Sequence, residues 1–269
     1  MKIKSFIFAL IAATVLFAAC DVIPENDRLG KVEKEESGRR VLLMEFTGWR
    51  CVNCPEAAKI AHDLLASIPN NLVVVAMHPT GHGFTTPENT ANALSTTEAM
   101  DYLTAYGGSG ATGFPIGVVN GVKFGTDYLQ GRDKWTSLIL DEIKKAPVYS
   151  IDLSYTKTSQ HQVVAKVTPI DTTANSNVSL QMWLLESNIV APQIGGGNTY
   201  VHNHVFRKGL NALWGDELGN VTAEMEKTYS FDVESRYVVD NCSVVAVLID
   251  TETKEVLQVA EVALGNGVH

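Results

Sequence analysis

The pattern of apolar and polar positions changes near the middle of the chain. Between Arg39 and about Ala146, short apolar runs alternate with segments of helical spacing. After Pro147 the apolar runs are strand-like, and clusters of Thr, Ser, Asn and Asp separate them. The pattern therefore predicts two domains, a mixed α/β domain over residues 38–147 and an all-β domain over residues 148–269.

The first domain opens with a strand–helix–strand unit. Val41 to Phe46 is a short apolar run, and Leu72 to Met77 is a β-branched run without alternation, which is typical of a strand covered on both faces. Between them, Pro55 to Ser67 carries apolar residues at helical spacing. This order predicts a βαβ unit with two parallel strands.

Two further helices and a hairpin complete the prediction for this domain. Thr97 to Tyr106 and Asp133 to Lys145 have helix-start and helix-stop residues at their ends. Ile116 to Val119 and Val122 to Phe124 flank Asn120-Gly121, a dipeptide typical of tight hairpin turns.

Strand-like runs in the second domain predict a β-sandwich of roughly immunoglobulin size. These runs are Val148 to Thr156, Gln162 to Ile170, Ser179 to Glu186, Tyr237 to Asp250 and Val256 to Leu264. The long segment from Ser187 to Asn220 is rich in Gly, Asn and His, and we expect it to be a functional or mobile loop.

Composition and charge narrow the class of partner. The chain has 269 residues, of which 45% are hydrophobic, so it can form a packed core. Its formal net charge is −9 at pH 7. Because phosphate binding needs a basic face, we expect no nucleic acid partner.

The N-terminus predicts export and attachment to a membrane. Lys2 and Lys4 precede an apolar stretch that is too short to be a convincing membrane span. The following sequence, LFAAC, resembles a bacterial lipobox, in which the sulfur of Cys20 is lipidated and this cysteine becomes the new N-terminus. Residues 1–19 are then a lipoprotein signal peptide and residues 20–37 a tether. An ordinary cleaved signal peptide is the alternative.

The sequence FTGWRCVNCP places two cysteines at the junction between a predicted strand and the following helix. A helix N-terminus and the charge of Arg50 both lower the pKa of a thiol at Cys51. Cys54 falls about one turn later, close enough to form a disulfide with Cys51. The pair is therefore a candidate for thiol–disulfide chemistry outside the cytoplasm.

Other interpretations of this cysteine pair stay open. A zinc site needs about four ligands, and the sequence has no second C-x-x-C cluster. His78 and His82 could supply ligands, but solvated or capping histidines are the favoured interpretation, so we expect no metal and no cofactor. A static disulfide, or a redox fold reused for binding, is the remaining alternative.

A second polar cluster, YVHNHVFR, lies in the all-β domain. On a strand, His202 and His204 would point to one face and could hold a metal. The favoured interpretation is a loop in which these histidines and Arg207 hydrogen-bond to the backbone. The remaining cysteine, Cys242, lies in an apolar run and is predicted to be buried.

Residues 38–146 resemble the thioredoxin superfamily. The resemblance rests on Glu45, six positions before Cys51, on the C-x-x-C motif, and on Gly113-Phe114-Pro115-Ile116 before a strand. It implies that Glu45 is a buried acid that helps Cys54 lose its proton, and that Phe114-Pro115 is a cis-proline loop that docks substrate backbone. Arg50 stands where the superfamily usually has tryptophan, and Trp49 precedes it.

Nearly the whole chain resembles the outer-membrane lipoproteins of twenty-eight-kilodalton type from Gram-negative anaerobes. The carrying sequences are the lipobox, EFTGWRCVNCP, GFPIGVVNG, YVHNHVFR and DNCSVVAVLID. The resemblance implies a lipoprotein on the periplasmic or the cell-surface face of the outer membrane. It leaves two functions: an oxidoreductase with thiol or disulfide protein clients or a redox partner, and a binding or adhesion lipoprotein. The candidate binding residues are Trp49, Arg50, His78, Phe114, His202, His204 and Arg207.

Overall fold

The computed structural model of the protein describes residues 38–87, 93–171 and 177–265. These residues lie within one compact unit, residues 37–269. The predicted signal peptide, the tether and the lipidation site Cys20 lie outside the described residues.

The strand–helix–strand unit forms as the sequence predicts. Strand β1 (Val41–Phe46) and strand β2 (Leu72–Met77) are parallel, with Val41 opposite Leu72 and Phe46 opposite Met77. Helix α1 (Cys54–Ser67) connects them and has Pro55 in its first turn. Every residue of both strands is buried, because both faces of the sheet are covered at this point.

The other two predicted helices and the strand before Asn120 are also present. They are α2 (Thr97–Ala105), α3 (Arg132–Ile143) and β3 (Ile116–Val119), which pairs antiparallel with β1. Thr96 caps α2, since its side chain accepts a hydrogen bond from the backbone N–H of Ala99.

The predicted second strand of the hairpin, Val122 to Phe124, is wrong. Asn120 and Gly121 do form a turn, with φ values of 50° and 61°. The free edge of β3 is occupied elsewhere, because Gly117 and Gln130 exchange backbone hydrogen bonds of 2.9 and 2.8 Å. The chain after the turn therefore has no strand edge at this position with which to pair.

The second half of the chain is built almost entirely from strands. They are β4 (Tyr149–Lys157), β5 (His161–Pro169), β6 (Asn177–Glu186), β7 (Ile189–Gln193), β8 (Gly197–His202), β9 (Val205–Gly209), β10 (Asp216–Asn220), β11 (Met225–Phe231), β12 (Cys242–Asp250) and β13 (Val256–Ala263). The expectation of a loop from Ser187 to Asn220 is wrong, since this segment contains β7 to β10. Those strands are only five or six residues long and carry no regular alternation of buried and exposed positions, so hydrophobic periodicity does not mark them.

Strands from both halves of the chain join in one mixed sheet. Its order is β13-β12-β6-β9-β2-β1-β3, and β10 also pairs with β6. Strand β9 makes the junction, because it is antiparallel to β6 and meets β2 in a parallel pair between Ala76 and Val205. The sequence pattern did not predict this continuity across residue 147.

The central sheet is covered on both faces. On one face, Tyr102 and Leu103 of α2 pack on strands from both halves, including Trp183 of β6. On the other face, α1 and α3 cover β1 and β2. A three-stranded sheet, β11-β5-β4, covers β6 and β12 on that same face. The described part of the chain is thus a mixed α/β fold with three helices and a majority of strands.

One buried glutamine ties the two halves together where they meet. Gln258 on β13 accepts a hydrogen bond from the backbone N–H of Arg40 at 2.9 Å. Its amide group donates to the carbonyl oxygens of Gly38 at 3.0 Å and Tyr149 at 2.9 Å. The start of the first half and the first strand of the second half are therefore fastened to the same side chain.

We expect Gln258→Leu to destabilise the protein by on the order of 3 kcal/mol, because it leaves buried backbone groups without partners while preserving the side-chain size. Urea unfolding at neutral pH measures the change. Gln160→Leu, at an exposed position in the turn between β4 and β5, is the matched control. A loss below about 1 kcal/mol would show that Gln258 does not hold the halves together.

Candidate functional site

The candidate site is the disulfide between Cys51 and Cys54, which lies at the start of α1. Cys54 is the first residue of the helix, and Cys51 lies in the turn before it, with a Cα–Cα distance of 5.4 Å. The two side chains are only 1% and 2% exposed. Val52, between them, is 63% exposed, so the turn reaches the surface while its sulfur atoms do not.

The β7–β8 hairpin covers this turn from one side. Gln193 is buried, and its amide nitrogen donates to the carbonyl oxygens of Gly48 at 3.2 Å and Cys51 at 2.9 Å. The backbone N–H of Ile194 donates to the carbonyl of Trp49 at 2.7 Å. Three hydrogen bonds from the tip of the hairpin thus hold it against the backbone around the dithiol.

The hairpin tip also makes a close contact that requires glycine. Gly195 has φ of 84°, and a Cβ placed there would lie 2.4 Å from the carbonyl oxygen of Val52. Both the backbone conformation and this close approach exclude a larger side chain. The tip therefore lies directly on the C-x-x-C turn.

The segment 82–87 covers the dithiol turn from another side. Trp49 donates from its indole nitrogen to the carbonyl of Thr85 at 3.1 Å, and the guanidinium of Arg50 donates to the carbonyl of Thr86. These two predicted binding residues therefore hold a neighbouring segment in place. Arg50 is exposed, and its charge is directed to this segment by the hydrogen bond.

The peptide bond between Phe114 and Pro115 is cis, as the sequence predicted. The ring of Phe114 belongs to the same apolar cluster as both cysteines, and it stacks on His82 at 4.0 Å between ring centroids. His82 in turn bonds through Nε2 to the carbonyl oxygen of Thr112 at 3.0 Å. His82 therefore supports the proline loop.

A cleft of about 330 Å³ lies between α1 and the β7–β8 hairpin, and we call it the α1 cleft. Cys54 is part of its lining. Alternate residues of a strand face the same side, so Glu45 on β1 and His78, two residues after Ala76 on β2, both face this cleft. The polar or reactive residues that line it include Glu45, Cys54, His78, Tyr200, His202 and His204.

Three of these side chains carry buried polar atoms without a hydrogen-bond partner among the described residues. They are Oε1 of Glu45, Nε2 of His202 and the ring nitrogens of His78, whose polar neighbours include the backbone of Ala76, at a geometry too poor for a regular hydrogen bond. The side chains are 2%, 2% and 5% exposed, respectively. Buried polar atoms without partners are costly, so a set of them around one cleft is characteristic of a functional site.

Burial also removes the charge from these groups. It raises the pKa of Glu45 to about 8, so the carboxyl is mainly protonated at neutral pH. Burial lowers the pKa of His78 to about 3, with a further contribution from the neighbouring His202. Burial likewise lowers the pKa of His202 to about 4. At pH 7 the cleft therefore contains an acid that can donate a proton and two neutral imidazoles.

The structure separates the histidines and the arginine of the YVHNHVFR cluster. His202 ends β8 and His204 lies in the turn after it, and both line the α1 cleft. Arg207 is buried elsewhere, where it forms an ion pair with Glu186 at 3.3 Å and stacks on Tyr237 at 4.2 Å. Arg207 therefore supports the fold and does not reach the cleft.

Cys242 is completely buried, as predicted, and burial raises the pKa of its thiol to about 12. It is the free cysteine of the described residues and does not belong to the candidate site. A thiol with this pKa stays protonated at neutral pH and is a poor nucleophile.

Sequence reasoning missed two residues that hold the dithiol turn. One is Gln193, which lies in the segment predicted to be a loop. The other is Arg132 at the start of α3, which donates to the carbonyl of Asn53 at 2.9 Å and pairs with Glu56 at 2.7 Å. Neither has a local sequence signal, because its partners lie far away along the chain.

Within the ranges that the structure describes, no three His, Cys, Asp or Glu side chains are grouped so that they could hold a metal ion. None of the helices in these ranges is long and apolar enough to cross a membrane.

The fold is similar to that of solved structures with low sequence identity. HBP35 of Porphyromonas gingivalis matches with a TM-score of 0.69 and 17% identity, over 86% of this chain and 77% of that one. Protein AGR_C_4864 of Agrobacterium tumefaciens matches with a TM-score of 0.57 and 13% identity, over 84% and 95%. A domain of the outer membrane lipoprotein Omp28 from P. gingivalis has 23% identity and a TM-score of 0.32, over 45% and 91%. A comparison with curated proteins finds no match.

The sequence itself matches a family model described as outer membrane protein Omp28 over residues 100–268. The match covers more than half of the chain, including α2 from Met100 onwards, the β7–β8 hairpin and all later strands. It begins after the dithiol. The chain therefore belongs to the Omp28 family of outer membrane proteins.

Proposed function

We propose that this outer membrane protein catalyses thiol–disulfide exchange on protein clients. The observation that carries the proposal is the position of the Cys51–Cys54 disulfide at the start of α1, with Cys54 and the buried Glu45 facing the same cleft. A helix N-terminus stabilises a thiolate, and a protonated carboxyl nearby can neutralise one. Residues 38–147 would act as a thioredoxin-like domain, in which Pro115 docks the client backbone.

Reduction of the disulfide follows from this arrangement. A partner thiolate attacks Sγ of Cys51, and the sulfur of Cys54 leaves with the electron pair of the broken S–S bond. The protonated carboxyl of Glu45 can then donate its proton to Cys54. A second partner thiolate attacks the mixed disulfide and releases Cys51, so two electrons have passed from the partner to the protein.

Oxidation of the dithiol uses the same groups in reverse. The thiolate of Cys51 attacks a client disulfide, and one client sulfur leaves with the electron pair and takes up a proton. Glu45 releases its proton to solvent, and its carboxylate takes the proton of Cys54. The thiolate of Cys54 then attacks Cys51 in the mixed disulfide. The second client sulfur leaves as a thiolate, and the client has gained two electrons.

The cover over the dithiol sets a condition on this chemistry. Because Cys51 is only 1% exposed, a client sulfur can approach it only when the hairpin tip or the segment 82–87 moves away. The hydrogen bonds of Gln193 to Gly48 and Cys51 are the contacts that this movement breaks on the hairpin side. Exchange with a large client would therefore be slower than exchange at an open site.

The same burial favours a second candidate function. In a binding or adhesion lipoprotein the disulfide would be structural, and the proline loop, Trp49 and Arg50 would only support the fold. Residues 148–269 would then serve binding. The three-stranded sheet packed on β6 and β12 would form an immunoglobulin-like part in this half. In both cases we propose that lipid on Cys20 attaches the chain to the membrane.

We expect Cys51→Ser to abolish reduction of insulin disulfides by the protein, because the attacking sulfur is lost. Turbidity of precipitating insulin B chain measures the reaction in the presence of an excess of a thiol reductant. Cys242→Ala is the matched control and should keep the wild-type rate, since Cys242 is buried far from the dithiol turn. If the wild-type protein does not accelerate the reaction with any of the reductants tested, the exchange proposal fails and the binding function takes its place.

We expect Glu45→Gln to change how stability depends on pH. The folded pKa of Glu45 lies above its unfolded value, so its protonated form stabilises the native state fully below about pH 4.5 and this contribution is lost as the pH rises towards 8. Within that window the wild-type protein should lose up to about 1.4 kcal/mol per pH unit relative to Glu45→Gln.

Urea unfolding of the oxidised proteins between pH 5 and pH 9 measures this difference. Glu217→Gln, at an exposed position on β10, is the control and should follow the wild type throughout. A constant difference between the wild type and Glu45→Gln over the whole range would contradict a buried, neutral Glu45.

A further inference from the structure

The α1 cleft, which is lined by α1 and by the β7–β8 hairpin including Gln193, reaches Cys54 and not Cys51. The hairpin tip and segment 82–87 close the side of Cys51, whereas Cys54 lines the cleft. The mouth of the cleft carries the exposed side chains of Lys59, His62 and Asn203. Water and small proton carriers can therefore approach Glu45 through the cleft, whereas attack of a thiol on Cys51 requires the cover to move.

Side chains with polar atoms that lack partners within the described ranges line this cleft. Glu45 Oε1, both nitrogens of His78 and Nε2 of His202 all line it, and the rings of His78 and His202 have a centroid distance of 5.9 Å. A polar cavity of this size holds water, since one water molecule occupies about 30 Å³ and binds 2–4 polar partners. A neutral imidazole has one donor and one acceptor nitrogen, so it can accept a proton on one side and release one on the other.

We propose that His78 and His202, with water in the α1 cleft, relay protons between solvent and the Glu45–Cys54 pair. The proposal rests on thiol–disulfide exchange as the function of the site. The two histidines come from different halves of the chain, and the proposal gives them the role of proton carriers. The chemistry of the dithiol and Glu45 alone does not require this role. The histidines touch neither client sulfur nor the disulfide, and they act by restoring the protonation state of Glu45.

The proton balance shows what the relay does. During reduction by a dithiol, Cys54 leaves as a thiolate and takes the proton of Glu45, while the reductant loses two electrons and becomes a cyclic disulfide. The resulting carboxylate of Glu45 is buried, and it takes a proton that passes from solvent through His202, His78 and the cleft water. In the oxidising direction Glu45 first releases its proton to solvent by the same path, and its carboxylate then takes the proton of Cys54.

Other titratable groups face this path and could influence its pH dependence. Tyr200 and His204 lie on the hairpin side, and Lys59 and His62 lie on α1 at the mouth. Arg207, although outside the cleft, contributes to lowering the pKa of His78. The histidine variants are therefore compared with the wild type at each pH, and added imidazole serves as the chemical probe of proton transfer.

The test is the rate at which excess dithiothreitol reduces the disulfide of the full chain, followed by the fluorescence of Trp49 and by thiol trapping between pH 5.5 and 8.5. We expect His78→Ala and His202→Ala each to lower the rate by about tenfold, because proton delivery to Glu45 becomes slow. Added imidazole should restore most of the lost rate in both variants and leave the wild type unchanged, since it can enter the cleft and carry protons. His161→Ala, a buried histidine of the three-stranded sheet, is the matched control and should behave as wild type.

Each other result overturns the relay. A loss of rate that imidazole does not restore would show that the histidines only support the fold, and an unchanged or faster reduction would show that protons reach Glu45 without them. In these cases thiol–disulfide exchange still stands if the wild-type disulfide is reduced and insulin is turned over. A wild-type disulfide that dithiothreitol cannot reduce would overturn both the relay and the exchange.

Discussion

The pairing of the outer edge of β2 is the constraint on which the rest of the structure depends. A buried strand edge must find hydrogen-bond partners, and β9 supplies them where Val205 meets Ala76. Because β9 is also antiparallel to β6, the strands of the second half are added to the sheet that the first half begins. Without this junction, β2 would have an open edge and β6 would lose a neighbour.

This junction also decides what lies over the dithiol. The β7–β8 hairpin is the chain between β6 and β9, so it must leave the sheet beside the end of β2, where His78 and the C-x-x-C turn lie. Its tip then contacts the turn through Gln193, and its inner face closes the α1 cleft. The residues matched by the Omp28 family model include this hairpin and do not include the two cysteines. The hairpin that covers the site therefore lies in the part of the chain that matches the family, whereas β1, α1 and the two cysteines lie outside that part.

The buried titratable groups of the described residues include two kinds, charged groups in ion pairs and groups that are neutral. Arg39 and Arg207 are buried but paired with Glu142 and Glu186, which keeps these charges compensated at structural positions. Around the α1 cleft, Glu45 and the two histidines are buried without ionic partners and are neutral instead. The charged pairs stabilise the interior within each half, while the uncharged groups surround the dithiol with side chains that can exchange protons without leaving a buried charge.

Short-range patterns in the sequence determined the βαβ unit, the three helices, the strands that follow Pro147, the cis Phe114–Pro115 bond and the pairing of Cys51 with Cys54. Each depends on residues within a few turns or one strand of each other, or on a resemblance carried by a short motif. Tertiary structure alone decided that β9 joins the halves, that Gln193 covers Cys51, and that His202 shares a cleft with Glu45. These contacts join residues more than 120 positions apart. Periodicity shows which face of an element is buried, but it does not show which distant element will cover it.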